Sequence, residues 1–140
     1  MSTLYFETSA FVKLLVAETG SKTALHAWRG GFHVHASPLL FVEARASLAS
    51  ARRGRRLTAE QFAEAKGALR AMRADVNEVH VDVEVLAHAE DLAEREALRG
   101  YDAVHLASSL FAGADVLVTA DAALIEAGER CGLTVIDARS

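Results

Sequence analysis

Glu7, Glu43, Asp102 and Asp121 are the residues of this 140-residue chain whose types and placement can do chemistry together. Glu7 ends the apolar run Leu4-Tyr5-Phe6 and is followed at once by Thr8-Ser9 and a helical pattern. A carboxylate at the carboxyl end of a strand opens onto the crevice where α/β proteins bind their ligands. Asp121 comes two residues after the apolar stretch Val116-Leu117-Val118-Thr119, so it too stands at a strand's carboxyl end. Glu43 has Leu39, Leu40, Ala46 and Ser47 as same-face helical neighbours and lies on or beside an apolar face. Asp102 falls in the first turn of a helix, with His105, Leu106 and Ser109 on its side. Singly, each has an ordinary use: Asp121 as a helix cap, Asp102 against a helix dipole, Glu43 in an ion pair with Arg45 or another arginine. Glu7 is the hardest to explain in that way, because an unpaired buried carboxylate is strongly unfavourable.

The joint arrangement says more. Two acids at strand ends and two near helix starts or apolar faces can converge on one crevice. Converging carboxylates repel unless they share protons or bind cations. Hard oxygen donors select Mg²⁺ or Mn²⁺ over zinc, and such a site suits metal-assisted hydrolysis of a phosphodiester. Other chemistries lack their residues: there is no Gly-rich phosphate loop, no paired-cysteine zinc motif and no serine flanked by glycines at an elbow. The six histidines show no ligand spacing beyond His33-x-His35, which reads as two sheet residues on one face. His105 is within reach of the site, or is a packing histidine bonded to backbone or hydroxyl. A phosphoryl-transfer receiver needs a lysine near its acceptor aspartate, yet Lys13, Lys22 and Lys66 lie in helical patterns away from the late strand ends.

The elements that must position these acids follow from periodicity. At 140 residues and 51% hydrophobic content, with a single proline, one strongly helical domain can bury its own core without staples. No stretch is long and apolar enough to span a bilayer, no signal peptide is visible, and the lone Cys131 fits a cytoplasmic protein. A net charge of −4 argues against a general nucleic-acid coat, although Arg45, Arg52, Arg53, Arg55 and Arg56 cluster, either to hold RNA backbone or an acidic partner segment or as a solvated helix end.

Strands are predicted at about 3–7, 32–36, within 76–83, at 116–119 and at 133–136. Thr8 or Ser9 is expected to cap the first helix, Ser21 the second, which runs through Trp28, and Ser37-Pro38 to start a third that reaches Arg53. Thr58-Ala59-Glu60-Gln61 forms a capping box, and the fourth helix to about Arg73 completes a helical hairpin. Further helices are expected over 85–98, with Leu86 on the apolar face, over 101–112, and from Asp121 to about Arg130. Strands alternating with helices imply a mainly parallel sheet covered on both faces.

At this point the residues resemble a family. Leu4-Tyr5-Phe6-Glu7-Thr8-Ser9-Ala10-Phe11-Val12-Lys13-Leu14 is similar to the opening of PIN-domain proteins, specifically the VapC-type toxins of bacterial toxin–antitoxin pairs. Ser37 to Ser47 with Glu43 resembles their second motif, Tyr101-Asp102-Ala103-Val104-His105-Leu106-Ala107 the third, and Val118-Thr119-Ala120-Asp121 the fourth. The resemblance spans essentially the whole chain. It implies a PIN-like three-layer α/β/α domain and a Mg²⁺- or Mn²⁺-dependent endoribonuclease. Its acidic quartet would be Glu7, Glu43, Asp102 and Asp121, its assembly a homodimer, and its inhibitor an antitoxin protein. Thr8, Ser9 and Thr119 sit beside the quartet, to bond ligands or to cap. The family carries aspartate where this chain has Glu7, and the extra methylene moves the carboxylate by ~1.5 Å. Glu7 therefore either binds metal from a strand set slightly back or acts through water with weak activity. The alternative function is a catalytically weak PIN-fold protein that binds RNA or a partner.

Overall fold

The structure, a computed structural model, describes residues 2–140. Its elements, in chain order, are β1 (Thr3–Phe6), α1 (Thr8–Leu15), α2 (Ser21–Trp28), β2 (His33–Ala36), α3 (Leu39–Arg53), α4 (Ala59–Arg73) and β3 (Asn77–Glu78). Then follow α5 (Val83–Arg95), α6 (Gly100–Phe111), β4 (Val116–Thr119), α7 (Ala122–Arg130) and β5 (Thr134–Asp137). The five strands form one sheet in the order β3-β2-β1-β4-β5, and every pairing is parallel. Leu4 lies opposite Val34 on one side and Val116 on the other, so β1 is the central strand.

Period-2 alternation along β1 divides the core. Leu4 and Phe6 face α1–α4, where Phe11, Leu40, Leu48 and Leu69 are buried. Tyr5 faces α5–α7 and is buried with Leu92, Leu106, Leu117 and Leu124. The sheet thus sits between two helical layers, as expected. The chain leaves β1 toward β2 and β3, then returns past β1 to lay down β4 and β5. That reversal of strand order lies between β1 and β4, at whose carboxyl ends stand Glu7 and Asp121.

Several local expectations are corrected. Strand β3 does lie within Val76–Val83 as expected, but it spans only Asn77–Glu78. Val79 and Val81 pack against the second core layer from a loop, and Val83 opens α5. In α5 the buried residues are Val85, Ala89 and Leu92, whereas Leu86 is exposed. The first helix is capped by Glu7 rather than Thr8 or Ser9: its Oε2 accepts the Ser9 N–H at 3.0 Å. Gly20, not Ser21, precedes α2, while Ser21 Oγ accepts the Glu18 N–H at 2.9 Å in the preceding turn. Ser37 does cap α3, accepting the Leu39 N–H at 3.1 Å, with Pro38 just ahead of the helix. The Thr58–Gln61 capping box forms in both directions, at 2.9 and 3.1 Å.

Gly20 is required where it stands. Its φ is +92°, and a Cβ there would lie 1.9 Å from the Ala138 carbonyl oxygen. Gly67, exposed inside α4, has nothing near the place of a Cβ. Gly20→Ala is therefore expected to lower stability by more than about 1 kcal/mol, and Gly67→Ala to raise it by about 0.4–1 kcal/mol. Urea unfolding of the two variants checks both signs.

Candidate active site

All four predicted acids line one cleft of about 400 Å³ at the carboxyl edge of the sheet. Four different elements deliver them. Glu7 stands between β1 and α1, Glu43 on α3, Asp102 in the first turn of α6, and Asp121 at the cap of α7. The parallel ladder continues past β1 through the Glu7 N–H, which bonds the Val118 carbonyl at 3.0 Å. This bond sets the height of Glu7 against the end of β4.

The acids are brought to one cleft but not into one ligand sphere. Among the described residues no three of His, Cys, Asp or Glu are grouped closely enough to hold a metal ion. Each carboxylate is tied to protein partners instead. Glu7 is 5% exposed and folded back on its own helix. Its Oε2 takes the Ser9 N–H; its Oε1 takes the Ser9 hydroxyl and, at 2.5 Å, the Thr119 hydroxyl. These bonds hold the Glu7 side chain against the first turn of α1, whose cap it forms. Asp121 caps α7 in the usual way, accepting the Leu124 N–H at 3.0 Å.

Glu43 closes a buried chain of hydrogen bonds across the sheet. The Ser37 N–H bonds Tyr5 Oη at 3.1 Å, and Tyr5 Oη lies 2.7 Å from His105 Nδ1. Burial pushes the Tyr5 phenol well up, so it stays protonated and donates. His105 Nδ1 then accepts, which leaves the proton on Nε2 to be donated to Glu43 Oε1 at 2.5 Å. Thr8 donates to the same oxygen at 2.7 Å. Burial works against ionisation of Glu43, but the bonds from His105 and Thr8 outweigh it and hold its carboxyl below the usual range. His105 is thus both of the things expected of it, a fully buried packing residue and a direct neighbour of the site.

Asp102 and Asp121 share one cation, Arg99. Its Nε is 3.2 Å from Asp102 Oδ2, and its terminal nitrogen is 3.9 Å from Asp121 Oδ1. Burial pushes the Asp102 carboxyl above the usual range; the Arg99 bond opposes this and the Asp121 charge adds to it. Arg99 and Tyr5 are the residues the sequence reading missed. Arg99 stood in view, three residues before Asp102 on a predicted helix start. Tyr5 gave no signal, since its partner is 100 positions away.

With this geometry in place, comparison with known proteins is decisive. The PIN domain pattern matches residues 4–130. The chain belongs to the PIN-domain family. Ribonuclease VapC45 of Mycobacterium tuberculosis is 44% identical over 120 residues, covering 86% of this chain and 83% of that protein. Among solved structures, VapC20 of M. tuberculosis, described as a Sarcin-Ricin loop cleaving toxin, is 22% identical with a TM-score of 0.70, over 89% of this chain and 95% of that one. VapBC2 from Rickettsia felis, solved bound to a DNA fragment from their promoter, is 13% identical with a TM-score of 0.66, over 96% and 98% of the two chains. The VapC-type resemblance of the motifs is therefore upheld, and the PIN fold with it.

Tyr5→Phe removes the hydroxyl that joins the Ser37 N–H to His105 and leaves both without that partner. It is expected to cost about 1–3 kcal/mol in urea unfolding. A loss indistinguishable from zero would show that the chain contributes nothing to folding.

Proposed function

We propose that this PIN domain is a VapC-type endoribonuclease, a toxin that hydrolyses RNA phosphodiester bonds with the help of Mg²⁺ or Mn²⁺. The observation that carries the reading is the placing of Glu7, Glu43, Asp102 and Asp121 around one cleft of a chain 44% identical to a ribonuclease VapC. The donor set fits a hard divalent ion: it is all carboxylate, and the Asp102–Asp121 pair already attracts a positive group. Two carboxylates with water and a substrate phosphate suffice for Mg²⁺, so a ligand sphere left open by the protein alone is consistent with it. A divalent ion there supplies Lewis-acid stabilisation of the phosphoryl group and activates water for attack on it.

The chain's own residues then have distinct tasks. Asp102 and Asp121 hold the ion. Glu43 is held ionised by His105 and Thr8, with Oε1 engaged, to accept a proton from water or to complete the ligand set. Glu7 orders the cleft wall by fixing Ser9 and Thr119. The protein is further proposed to act in the cytoplasm as a homodimer and to be held inactive by an antitoxin protein. No helix among the described residues is long and apolar enough to cross a membrane.

The second reading, a catalytically weak PIN protein that binds RNA or a partner, is favoured by one observation. Both oxygens of Glu7 are occupied by protein donors. Incubating a panel of structured RNAs with the protein and Mn²⁺ separates the two. The ribonuclease reading expects cleavage that Asp102→Asn lowers at least about 100-fold. It also expects faster cleavage by Glu7→Asp, whose shorter carboxylate can still cap α1. RNA binding without turnover in both the unaltered protein and Glu7→Asp would establish the weaker alternative.

A further inference from the structure

The cleft contains a cation of its own. Arg99 lies just before α6 and spans Asp102 and Asp121, the two carboxylates whose charge a divalent ion would otherwise balance. The other basic side chain lining the cleft, Lys13, is committed elsewhere, to Glu18 at 3.3 Å and to the Thr19 carbonyl at 2.6 Å. His105 serves Glu43. Among the described residues, Arg99 is the basic side chain within 4 Å of both Asp102 and Asp121.

Arg99 is also built to leave. Its side chain is 69% exposed and makes no capping bond to α6, so moving it opens neither the core nor the helix. A guanidinium and a divalent cation on the same two carboxylates repel each other at short range. The geometry points to Arg99 as a resident counter-cation of Asp102 and Asp121, displaced when a divalent ion binds there and then placed to contact an RNA phosphate at the cleft rim. This rests on the ribonuclease reading for its second half only. Two properties favour the phosphate as the destination. A divalent ion held by Asp102 and Asp121 would take substrate phosphate among its ligands, which would bring an anion beside the displaced side chain. A planar guanidinium matches phosphate oxygens with two parallel N–H donors, which an ammonium cannot do. The arginine would thus oppose the ion in the free protein and support the substrate in the loaded one, so its removal has opposite effects on the two.

Calorimetric titration with MnCl₂ alone reads the first effect. Arg99→Gln is expected to bind Mn²⁺ roughly two- to fivefold more tightly than the unaltered protein, the range of an exposed ion pair. Arg99→Lys, which keeps the charge, should stay near the unaltered value. Cleavage of a structured RNA at saturating Mn²⁺ and varied KCl reads the second. Arg99→Gln should raise KM and flatten the slope of log KM against log salt by about 0.7, the value for one lost phosphate contact on single-stranded RNA. A purely structural role would not move that slope. Mn²⁺ affinity equal to or weaker than the unaltered protein's in Arg99→Gln overturns the displacement, and an unchanged salt slope overturns the phosphate contact. Should Arg99→Gln fold poorly by circular dichroism, the Arg99 Nε–H resonance of the unaltered protein under Mg²⁺ titration decides: it must shift, and an unmoved resonance overturns the proposal. Absence of RNA cleavage by the unaltered protein overturns the ribonuclease reading and the phosphate contact with it, while the Mn²⁺ titration still judges the displacement.

Discussion

Mutual repulsion among the carboxylates at the mouth of one cleft is the constraint to which the neighbouring structure answers. Bringing like charges together at the edge of a low-dielectric core raises the free energy of the fold unless each is compensated locally. This protein compensates them by three separate devices. Glu7 is absorbed into the start of α1, Glu43 takes donors from both helical layers, and Asp102 shares Arg99 with Asp121. Each carboxylate of the cleft thus has a protein partner, and the Asp102–Asp121 pair is opposed by one exposed side chain.

The parallel sheet makes this economical in chain. Because β1 is central, the segment after it and the segment after β4 emerge side by side, and Glu7 and Asp121 meet without a long loop. The helices contribute the other acids from opposite layers, α3 from one and α6 from the other. Alternation along β1 then gives Tyr5 to the second layer, from which its hydroxyl reaches both Ser37 and His105.

Much of this was legible in the residues, and the reason is local. Apolar runs ended by an acid, a capping box, and a helix whose first turn holds Asp102 are patterns of a few neighbouring positions, and each appears where it was expected. The four acids could be assigned to one crevice because chain order places strand ends on one edge of a parallel sheet. What failed was of two kinds. Alternation over Val76–Val83 overstated the length of β3, because Val79 and Val81 pack from a loop once pairing with β2 ends at the bond from the Val79 N–H to the Ala36 carbonyl. The bonding state of each acid was hidden because it depends on residues distant in sequence, as with Tyr5 and His105, or on a choice among nearby donors, as with Glu7 taking the cap in place of Thr8 or Ser9.

The bond from His105 on α6 to Glu43 on α3 stitches the two halves of the core together at the cleft. Under the proposed role of Glu43, selection for a folded protein and selection for cleavage act on the same pair. A lineage released from the need to cut RNA would keep Glu43 and His105 for their contribution to folding, and their persistence in a sequence is no sign of activity. Arg99 and Asp102, whose side-chain bond is to each other at the rim, carry no such burden and would drift first. In this protein, the place to read whether evolution still values the reaction is that pair, the exposed Arg99 and the buried Asp102.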